Sequence, residues 1–253
     1  MIARKDKIRA LLMAIETGDT EAVAVVDEAQ YIQHNPHTHE GSDGLAALFN
    51  RLSLTNPHVN IVRAFEDGDY VFAHTEYDFS SRKIGFEVFR FEGQRAVEHW
   101  DNLQLRKEPT PSGHTMVDGP TEVQDLSLTD TNRDLVRAFV DDIYVDRKFD
   151  LLDRYLESDS LIQHNPLLPD GGAALHDALT AKFDDGPAVK YDKIHRVLAE
   201  GNFVLSVSEG ALNGVHTAFY DLFRIADNKI VEHWDTIETV APRGEWKNTN
   251  GKF

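Results

Sequence analysis

Apolar residues recur with a helical period near the start of each half of the chain. The positions with spacings of three and four are Ile8, Leu11, Leu12 and Ile15, and then Leu135, Val136, Phe139 and Ile143. Such spacing predicts an amphipathic helix at the start of each half. Two further helices are predicted in each half, over 20–29 and 45–52 and over about 149–157 and 173–183.

The remainder of each half changes to strand-like patterning. Strands are predicted over 58–66, 70–79, 84–91 and 96–105, and over 189–200, 203–212, 217–225 and 230–240. Turn residues such as Asp67-Gly68 separate successive runs. Three helices followed by a meander of antiparallel strands predict an α+β domain in which helices cover one face of the sheet.

Two short motifs occur twice in the chain. Residues 32–36 read Ile-Gln-His-Asn-Pro and return at 162–166, and residues 97–101 read Val-Glu-His-Trp-Asp and return at 231–235. The offset is 130 residues for the first motif and 134 for the second. An offset this steady indicates an internal duplication. We therefore predict two domains, 1–120 with a polar tail and 121–253.

Composition narrows the class of protein. The 26 basic against 43 acidic residues give a net charge of −17, which disfavours nucleic acid and anionic membrane surfaces. The absence of cysteine excludes disulfides and thiol catalysis. The N-terminus lacks the apolar core of a signal peptide, and we expect a cytoplasmic protein without a membrane span.

The last two strands of each half carry the best candidates for chemistry. With a three-residue hairpin loop at 226–228, Asp221 lies opposite His233, and the same register places Glu87 opposite His99. Asp101 and Asp235 then fall on the same faces. A carboxylate beside an imidazole in an apolar cavity is typical of a general base or an oriented acid. A structural contact between the strands is the competing interpretation.

A two-residue loop would change this outcome. The register would slip by one residue, and Trp100 and Trp234 would take the places of the histidines. The two tryptophans are otherwise candidates for pocket walls or for an interface between the halves.

Further candidates come from the repeated motif and from the strands. His34 and His164 occur in both halves beside Asn-Pro, so a pocket role and a hydrogen bond to local backbone both remain open. His74 aligns with a valine in the second half and could mark a site specific to the first. The spacing of His34, His37 and His39 resembles a metal cluster, but the second half offers no matching ligands, and we expect no metal site.

These motifs resemble the SnoaL-like, polyketide cyclase-like group of the nuclear transport factor 2-like superfamily. The resemblance rests on helix–helix–His-Asn-Pro–helix, a strand with Asp-x-Phe-Arg at 221–224, and Val-Glu-His-Trp-Asp at 231–235. Glu87 replaces the expected aspartate in the first half. The resemblance implies two tandem cone-shaped α+β barrels, each with three helices packed on a curved antiparallel sheet around an apolar pocket, arranged as a pseudo-two-fold pair.

The resemblance also implies a range of functions. Relatives include cofactor-free polyketide cyclases and steroid isomerases, which move a proton next to a carbonyl, and others hydrolyse epoxides, dehydrate or only bind. The leading hypothesis is cofactor-free acid/base chemistry, aldol-type cyclisation or isomerisation, on a small apolar or carbonyl-containing molecule. The expected catalytic residues are His34, Glu87, His99, Asp101, His164, Asp221, His233 and Asp235. The expected substrate-binding residues are His74, Phe89, Phe223, Trp100 and Trp234.

Two alternatives stay open, a non-catalytic small-molecule-binding or regulatory module, and a structural duplication with vestigial cavities. The differences between the halves suggest that the two pockets are not equivalent and that one can be inactive. Because relatives of this type pair through their sheets, we expect an intramolecular pseudo-dimer, as a monomer or as a homodimer of such units.

Overall fold

The computed structural model describes residues 2–157 and 160–253. The chain divides into two compact units, of which the first comprises Met1–Leu105 and Val240–Phe253 and the second Arg106–Thr239. The segment after the second sheet therefore belongs to the first unit, and the segment after the first sheet belongs to the second. The predicted division of the sequence into repeats at 1–120 and 121–253 stays a prediction, since a compact unit need not coincide with a duplicated segment.

The first unit contains two α-helices and a five-stranded sheet. In chain order its elements are α1 Arg4–Thr17, β1 Ile32–Gln33, α2 Gly41–Ser53, β2 His58–Asp67, β3 Tyr70–Asp78, β4 Arg82–Glu92 and β5 Arg95–Leu105. The strand order is β1-β5-β4-β3-β2, in which β1 pairs parallel with β5 and the other neighbours are antiparallel. The short β1 brings the repeated Gln-His-Asn-Pro motif alongside β5.

The second unit repeats this order. Its elements are α3 Thr129–Phe139, α4 Leu152–Tyr155, β6 Ile162–Gln163, α5 Gly172–Thr180, β7 Lys182–Phe183, β8 Gly186–Pro187, β9 Val189–Glu200, β10 Phe203–Leu212, β11 Val215–Ala226 and β12 Lys229–Thr239. The order of the large sheet is β6-β12-β11-β10-β9, with β6 parallel to β12. A π-helical turn, Val140–Val145, continues α3. Both units are α+β, as predicted.

The helices cover one face of each sheet. In the second unit Phe139 of α3 packs against Phe223 of β11 with ring centroids 5.5 Å apart, and the tilted rings of Tyr144 and Tyr191 of β9 have centroids 4.6 Å apart. In the first unit Ile8, Leu11 and Ile15 of α1 share a buried cluster with Phe89 and Phe91. Because side chains alternate along a strand, Phe89 and Phe91 of β4 both face this helix-covered side, as do Phe223 and Ile225 of β11.

The hairpin register differs from the prediction. The loop between β11 and β12 has two residues, Asp227 and Asn228, both with left-handed backbone at φ 49° and 59°, and Ala226 pairs with Lys229. A bulge then follows, because Ile225 pairs with Ile230 whereas Arg224 pairs with Glu232. The extra residue restores the alternation that a two-residue loop would have reversed, so the histidines and not the tryptophans share the face of the carboxylates.

As a consequence, the directly opposed pairs are not the expected ones. Asp221 lies opposite Asp235, and Glu87 lies opposite Asp101. His233 and His99 lie opposite Phe223 and Phe89, two residues further along the strand. The predicted register was wrong by two residues, but the predicted face was right.

The second predicted helix is much shorter than expected in the first half, whereas in the second half residues 149–155 of the predicted 149–157 are helical. Only Ala22–Val25 is helical within 20–29, as a single 3-10 turn. Val26 instead forms a parallel bridge with Ala96, and β-branched valines favour such extended backbone. The second half has a 3-10 turn followed by α4, and Leu156 makes the matching bridge with Ile230.

Among the described residues, no helix combines the length and apolar character needed to cross a membrane.

Candidate functional site

Three ionisable side chains meet on the helix-covered face of the second sheet. His233 Nε2 lies 3.0 Å from Asp221 Oδ1, and Asp235 comes two residues later on the same strand. All three are buried, with 3%, 1% and 7% of their surface exposed. We call Asp221, His233 and Asp235 the second cluster.

The repeated Gln-His-Asn-Pro motif orients this cluster from β6. The side-chain oxygen of Gln163 accepts hydrogen bonds from the backbone N–H of Asn165 at 3.0 Å and from His233 Nδ1 at 3.0 Å. Because that oxygen can only accept, Nδ1 carries a proton, and Nε2 shares the remaining proton of the pair with Asp221. Asn165 Nδ2 donates to Asp235 Oδ2 at 2.5 Å. Gln163 and Asn165 thus set the tautomer and hold the second carboxylate.

Burial and charge shift the proton affinities of the second cluster. Burial raises the pKa of Asp235 to about 6, opposed by the charge of His233 and reinforced by that of Asp221. Burial by itself lowers the pKa of His233, but the hydrogen bond to Asp221 and the two carboxylate charges outweigh it, so the pKa is raised. The second oxygen of Asp235 is buried without a hydrogen-bond partner among the described residues. Asp235 is therefore a weakly solvated base that titrates near neutral pH.

Two tyrosines adjoin the second cluster. The hydroxyl of Tyr191 lies 3.2 Å from each oxygen of Asp221 and donates to that carboxyl group. Burial, and then the charges of Asp221 and Asp235, raise the pKa of Tyr144 well above its ordinary value. Burial and the charge of Asp221 likewise raise the pKa of Tyr191, so both phenols keep their protons at neutral pH.

The first unit contains the corresponding cluster of Glu87, His99 and Asp101. His99 Nε2 lies 2.6 Å from Glu87 Oε2, and all three side chains are buried. Burial raises the pKa of Glu87, although its hydrogen bonds to His99 and Tyr77 oppose the shift. The pairing of a carboxylate with an imidazole that the sequence predicts is thus present in both halves.

The same motif orients the first cluster, from β1. Gln33 Oε1 lies 3.1 Å from His99 Nδ1, and Asn35 Nδ2 donates to Asp101 Oδ2 at 2.5 Å. The hydroxyl of Tyr77 donates to Glu87 Oε1 at 2.8 Å. The two clusters therefore share their hydrogen-bond pattern.

His34 and His164 lie on the opposite side of their sheets and not in the clusters. His34 Nε2 contacts Glu98 Oε1 at 2.9 Å, and its ring stacks on Trp100 at 4.6 Å. His164 makes the same contacts with Glu232 at 2.8 Å and Trp234 at 4.6 Å. Alternation along the motif explains this, because Gln and Asn point to one side and the histidine between them points to the other.

The remaining predicted binding residues divide between the two faces. Phe89 and Phe223 stack on the cluster histidines His99 and His233 at 4.3 and 4.8 Å. Trp100 and Trp234 lie on the opposite face with His34 and His164. His74 also lies on that opposite face, where Nδ1 contacts Arg63 Nη1 at 2.8 Å and the ring stacks on Phe86. The structure brings the phenylalanines to the clusters but not the tryptophans or His74.

Each cluster has donor atoms of the type and spacing that could hold a metal ion, since they lie within 4.8 Å of one another. The hydrogen bond from His233 to Asp221 and its counterpart at 2.6 Å in the first unit are, however, those of groups that share a proton. The His34, His37 and His39 spacing noted in the sequence is not such a group among the described residues.

Sequence reasoning missed several of the orienting residues. The repeated motif has a glutamine and an asparagine on either side of its histidine, and the sequence analysis singles out only the histidine. These residues are Gln33 and Asn35 in the first copy and Gln163 and Asn165 in the second. The alternation of a short strand carries the signal that would have found them. The tyrosines carry no such signal, because they stand at different positions in the two halves.

Comparison with known proteins supports the duplication. The sequence profile of the SnoaL-like domain matches residues 8–99 and again 136–233. No curated protein matches the chain.

Among solved structures, the chain is similar to TsrD from Streptomyces laurentii, with 18% identity, TM-score 0.36, and coverage of 41% of this chain and 92% of that one. It is also similar to an LEH-like epoxide hydrolase of M. tuberculosis, with 19% identity, TM-score 0.35, and coverage of 40% and 82%. A cystatin fold protein from Novosphingobium aromaticivorans matches with 19% identity, TM-score 0.35, and coverage of 40% and 98%. The two profile matches span most of the chain, and the protein therefore belongs to the SnoaL-like domain family, whose domain it contains twice.

Proposed function

We propose that the second unit catalyses cofactor-free proton transfer next to the carbonyl of a small apolar molecule, with Asp235 as the base. The observation that carries the proposal is the state of Asp235, whose Oδ1 is buried without a hydrogen-bond partner among the described residues and whose pKa is raised to about 6. A base is most effective when its pKa lies near the working pH. Just above pH 6 Asp235 is mostly ionised while remaining a stronger base than an exposed carboxylate.

The other residues of the site supply the complementary functions. Asp235 Oδ1 takes a proton from the carbon beside the carbonyl, the C–H electron pair moves into a C–C double bond, and the carbonyl oxygen becomes an enolate. Tyr144, whose burial keeps the phenol protonated, is the proposed donor to that oxygen. His233, oriented by Gln163 and Asp221, is the proposed acid that gives its proton to the product, and the proton held by Asp235 then passes to the His233–Asp221 pair, which restores the starting state.

The fate of the enolate distinguishes the possible reactions. Return of the proton to another carbon gives an isomerisation, whereas attack of the enolate carbon on a second carbonyl gives an aldol-type cyclisation. Both require the same first step. The proposal therefore concerns proton abstraction. Phe223, which stacks on His233, gives the site an apolar wall for the substrate.

Hydrogen–deuterium exchange at carbon tests the proposal. The protein is incubated in heavy water with a panel of ketones and β-dicarbonyls, and loss of the α-proton signal is followed by NMR. The matched variants are Asp235→Asn and Asp101→Asn, which remove corresponding carboxylates from the two units. We expect catalysed exchange that Asp235→Asn reduces at least about 100-fold and that Asp101→Asn leaves within about twofold. Exchange at the buffer rate for the whole panel would instead favour a non-catalytic binding module, and thermal-shift screening of the same compounds would then detect its ligands.

A further inference from the structure

The segments that follow the two sheets are docked in corresponding ways. In the first unit His34 Nδ1 contacts the carbonyl oxygen of Gly251 at 2.8 Å. In the second unit His164 Nδ1 contacts the carbonyl oxygen of Thr115 at 2.7 Å. Because both carbonyls meet the same nitrogen of corresponding histidines, Gly251 and Thr115 occupy equivalent positions.

The C-terminal segment is held firmly along the loop that carries the first motif. Asn248 Nδ2 donates to the carbonyl oxygens of Asn35 at 2.8 Å and Thr38 at 3.0 Å. The backbone N–H of Lys247 donates to the carbonyl of Pro36 at 2.8 Å. The position of the residues that follow is thus determined by several hydrogen bonds in addition to the one from His34.

The next residue differs in chemistry between the two units. It is Lys252 after Gly251 and Met116 after Thr115, and both are buried, with 3% and 2% of their surface exposed. Lys252 Nζ donates to the backbone carbonyl oxygen of Asp101 at 2.8 Å and lies 3.6 Å from its side-chain Oδ1. The first cluster therefore has an ammonium group beside Asp101, whereas the corresponding residue of the second unit is the uncharged Met116, whose Sδ lies 3.5 Å from the backbone nitrogen of Lys107.

This difference changes the charge balance of the clusters. In each one, the histidine and its hydrogen-bonded carboxyl group share a proton, which leaves the remaining aspartate, Asp101 or Asp235, as the uncompensated charge. A buried charge is costly unless a partner neutralises it. Lys252 provides that partner for Asp101. Among the described residues, Asp235 has no such partner in a corresponding place, and its burial raises its pKa to about 6, so that it stays neutral at lower pH.

We propose that Lys252 silences the first cluster by pairing with Asp101, and that Met116 leaves Asp235 of the second cluster available as a base. This inference rests on the proposed function for its catalytic consequence, but its electrostatic part stands on the contacts of Lys252 alone. Lys252 is a positioning residue, since it acts through Asp101. An ion-paired Asp101 is a poor base, because proton abstraction would leave the ammonium group buried beside a neutral acid.

Other charged and titratable groups face the two aspartates and are unchanged in the variants below. Those that face Asp101 or influence it are Glu87, His99, Tyr31 and Tyr77. Those that face Asp235 or influence it are Asp221, His233, His164, Tyr144 and Tyr191.

Exchanging the two residues tests the electrostatic part without substrate. The full chain is labelled with ¹³C at aspartate carboxyls, and the signals are assigned by Asp101→Asn and Asp235→Asn. In Lys252→Met we expect the pH midpoint of the Asp101 signal to rise by about one to three pH units. In Met116→Lys we expect the Asp235 midpoint to fall by a similar amount. Lys252→Arg, which keeps the positive charge, should leave the Asp101 midpoint within about half a unit.

Activity tests the catalytic part in a chain whose second site is disabled. On the Asp235→Asn background, we expect Lys252→Met to raise α-proton exchange at least about tenfold, and Lys252→Arg to leave it unchanged. Midpoints that stay unmoved in both exchanged variants would overturn the inference. A moved Asp101 midpoint without any gain in exchange, in a protein whose natural chain does catalyse exchange, would overturn the silencing role. If the natural chain catalyses no exchange, the proposed function fails, and the midpoints alone decide whether Lys252 controls Asp101.

Discussion

Tyr77 and Tyr191 donate hydrogen bonds to corresponding carboxyl groups from two different strands. Tyr77 of β3 lies opposite Val59 of β2, whereas Tyr191 of β9 lies opposite Gly210 of β10. The tyrosine therefore stands on the inner strand of this pair, β3, in the first unit and on the edge strand, β9, in the second. The hydrogen bond to the cluster is retained in both units although its donor is not at the same position in the repeat.

Steric limits explain why the second unit has glycine, and not tyrosine, at position 210. A side chain at Gly210 would place its Cβ 2.0 Å from the carbonyl oxygen of Lys190, so that position cannot carry the tyrosine. In the first unit Gly85 lies beside Tyr77, and a Cβ there would lie 2.6 Å from Leu103 Cδ2, 2.9 Å from Thr75 Oγ1 and 3.4 Å from Tyr77 Cε2. Phe219 occupies the corresponding place in the second unit and stacks on Tyr191 at 4.3 Å.

Gly210→Ala is expected to lower the free energy of unfolding by about 2 kcal/mol or more, because backbone atoms of β9 must move to admit the methyl group. Gly186→Ala is the matched control, since a Cβ there meets nothing within 4 Å. Urea unfolding of both variants checks this. Equal free energies of unfolding for the two variants would show that β9 adapts without cost.

Tyr77→Phe removes a donor to the carboxylate of Glu87. We expect a loss of about 1 to 2 kcal/mol in the free energy of unfolding. The pKa of Glu87, which burial raises and the Tyr77 hydrogen bond lowers, should rise further. Urea unfolding and ¹³C titration of the glutamate carboxyls measure the two effects. Tyr70→Phe, on the opposite face of the same strand, should leave the Glu87 signal in place; a Glu87 midpoint that falls in Tyr77→Phe would contradict the assigned hydrogen bond.

The raised pKa of Asp235 makes stability depend on pH. A folded-state pKa of about 6, above the ordinary 3.8, means that the native protein binds the proton more tightly than the unfolded chain. The associated stability is complete below about pH 4 and is lost as pH rises through 6, amounting to about 3 kcal/mol. Relative to the natural chain, Asp235→Asn should therefore have a higher free energy of unfolding at pH 7 than it has at pH 4, because the variant has no buried carboxylate to ionise. A pH-independent difference between variant and natural chain would contradict the raised pKa.

Much of the fold follows from periodicity in the sequence. The eight long strands and the first helix of each half are where the pattern places them, because each has an unbroken apolar face to bury. The helix predicted over 20–29 is mostly absent, since pairing of Val26 with Ala96 outweighs local helical preference. Pairing of this kind is a tertiary effect that local spacing does not reveal.

The candidate site was predictable only as far as alternation extends along a strand. The face shared by Asp221, His233 and Asp235 follows from the alternation of side chains along each strand. Their mutual register depends on a bulge at Val231, which no residue pattern in the sequence indicates. The contact of Lys252 with Asp101 joins residues 151 positions apart, and the segment that carries it lies outside both repeated motifs. No local pattern could have placed that ammonium group in the first cluster.

The pH profile of α-proton exchange tests the central claim, that Asp235 is the base, most directly. Rates are measured between pH 4 and 8 for the natural chain, Asp235→Asn and Asp101→Asn. We predict a rate that rises with pH, has its midpoint at about 6 and then levels off, because the base must lose its proton to act. The same profile should persist in Asp101→Asn and disappear in Asp235→Asn. An Asp235→Asn protein that retains the rate and the midpoint of the natural chain would contradict the account.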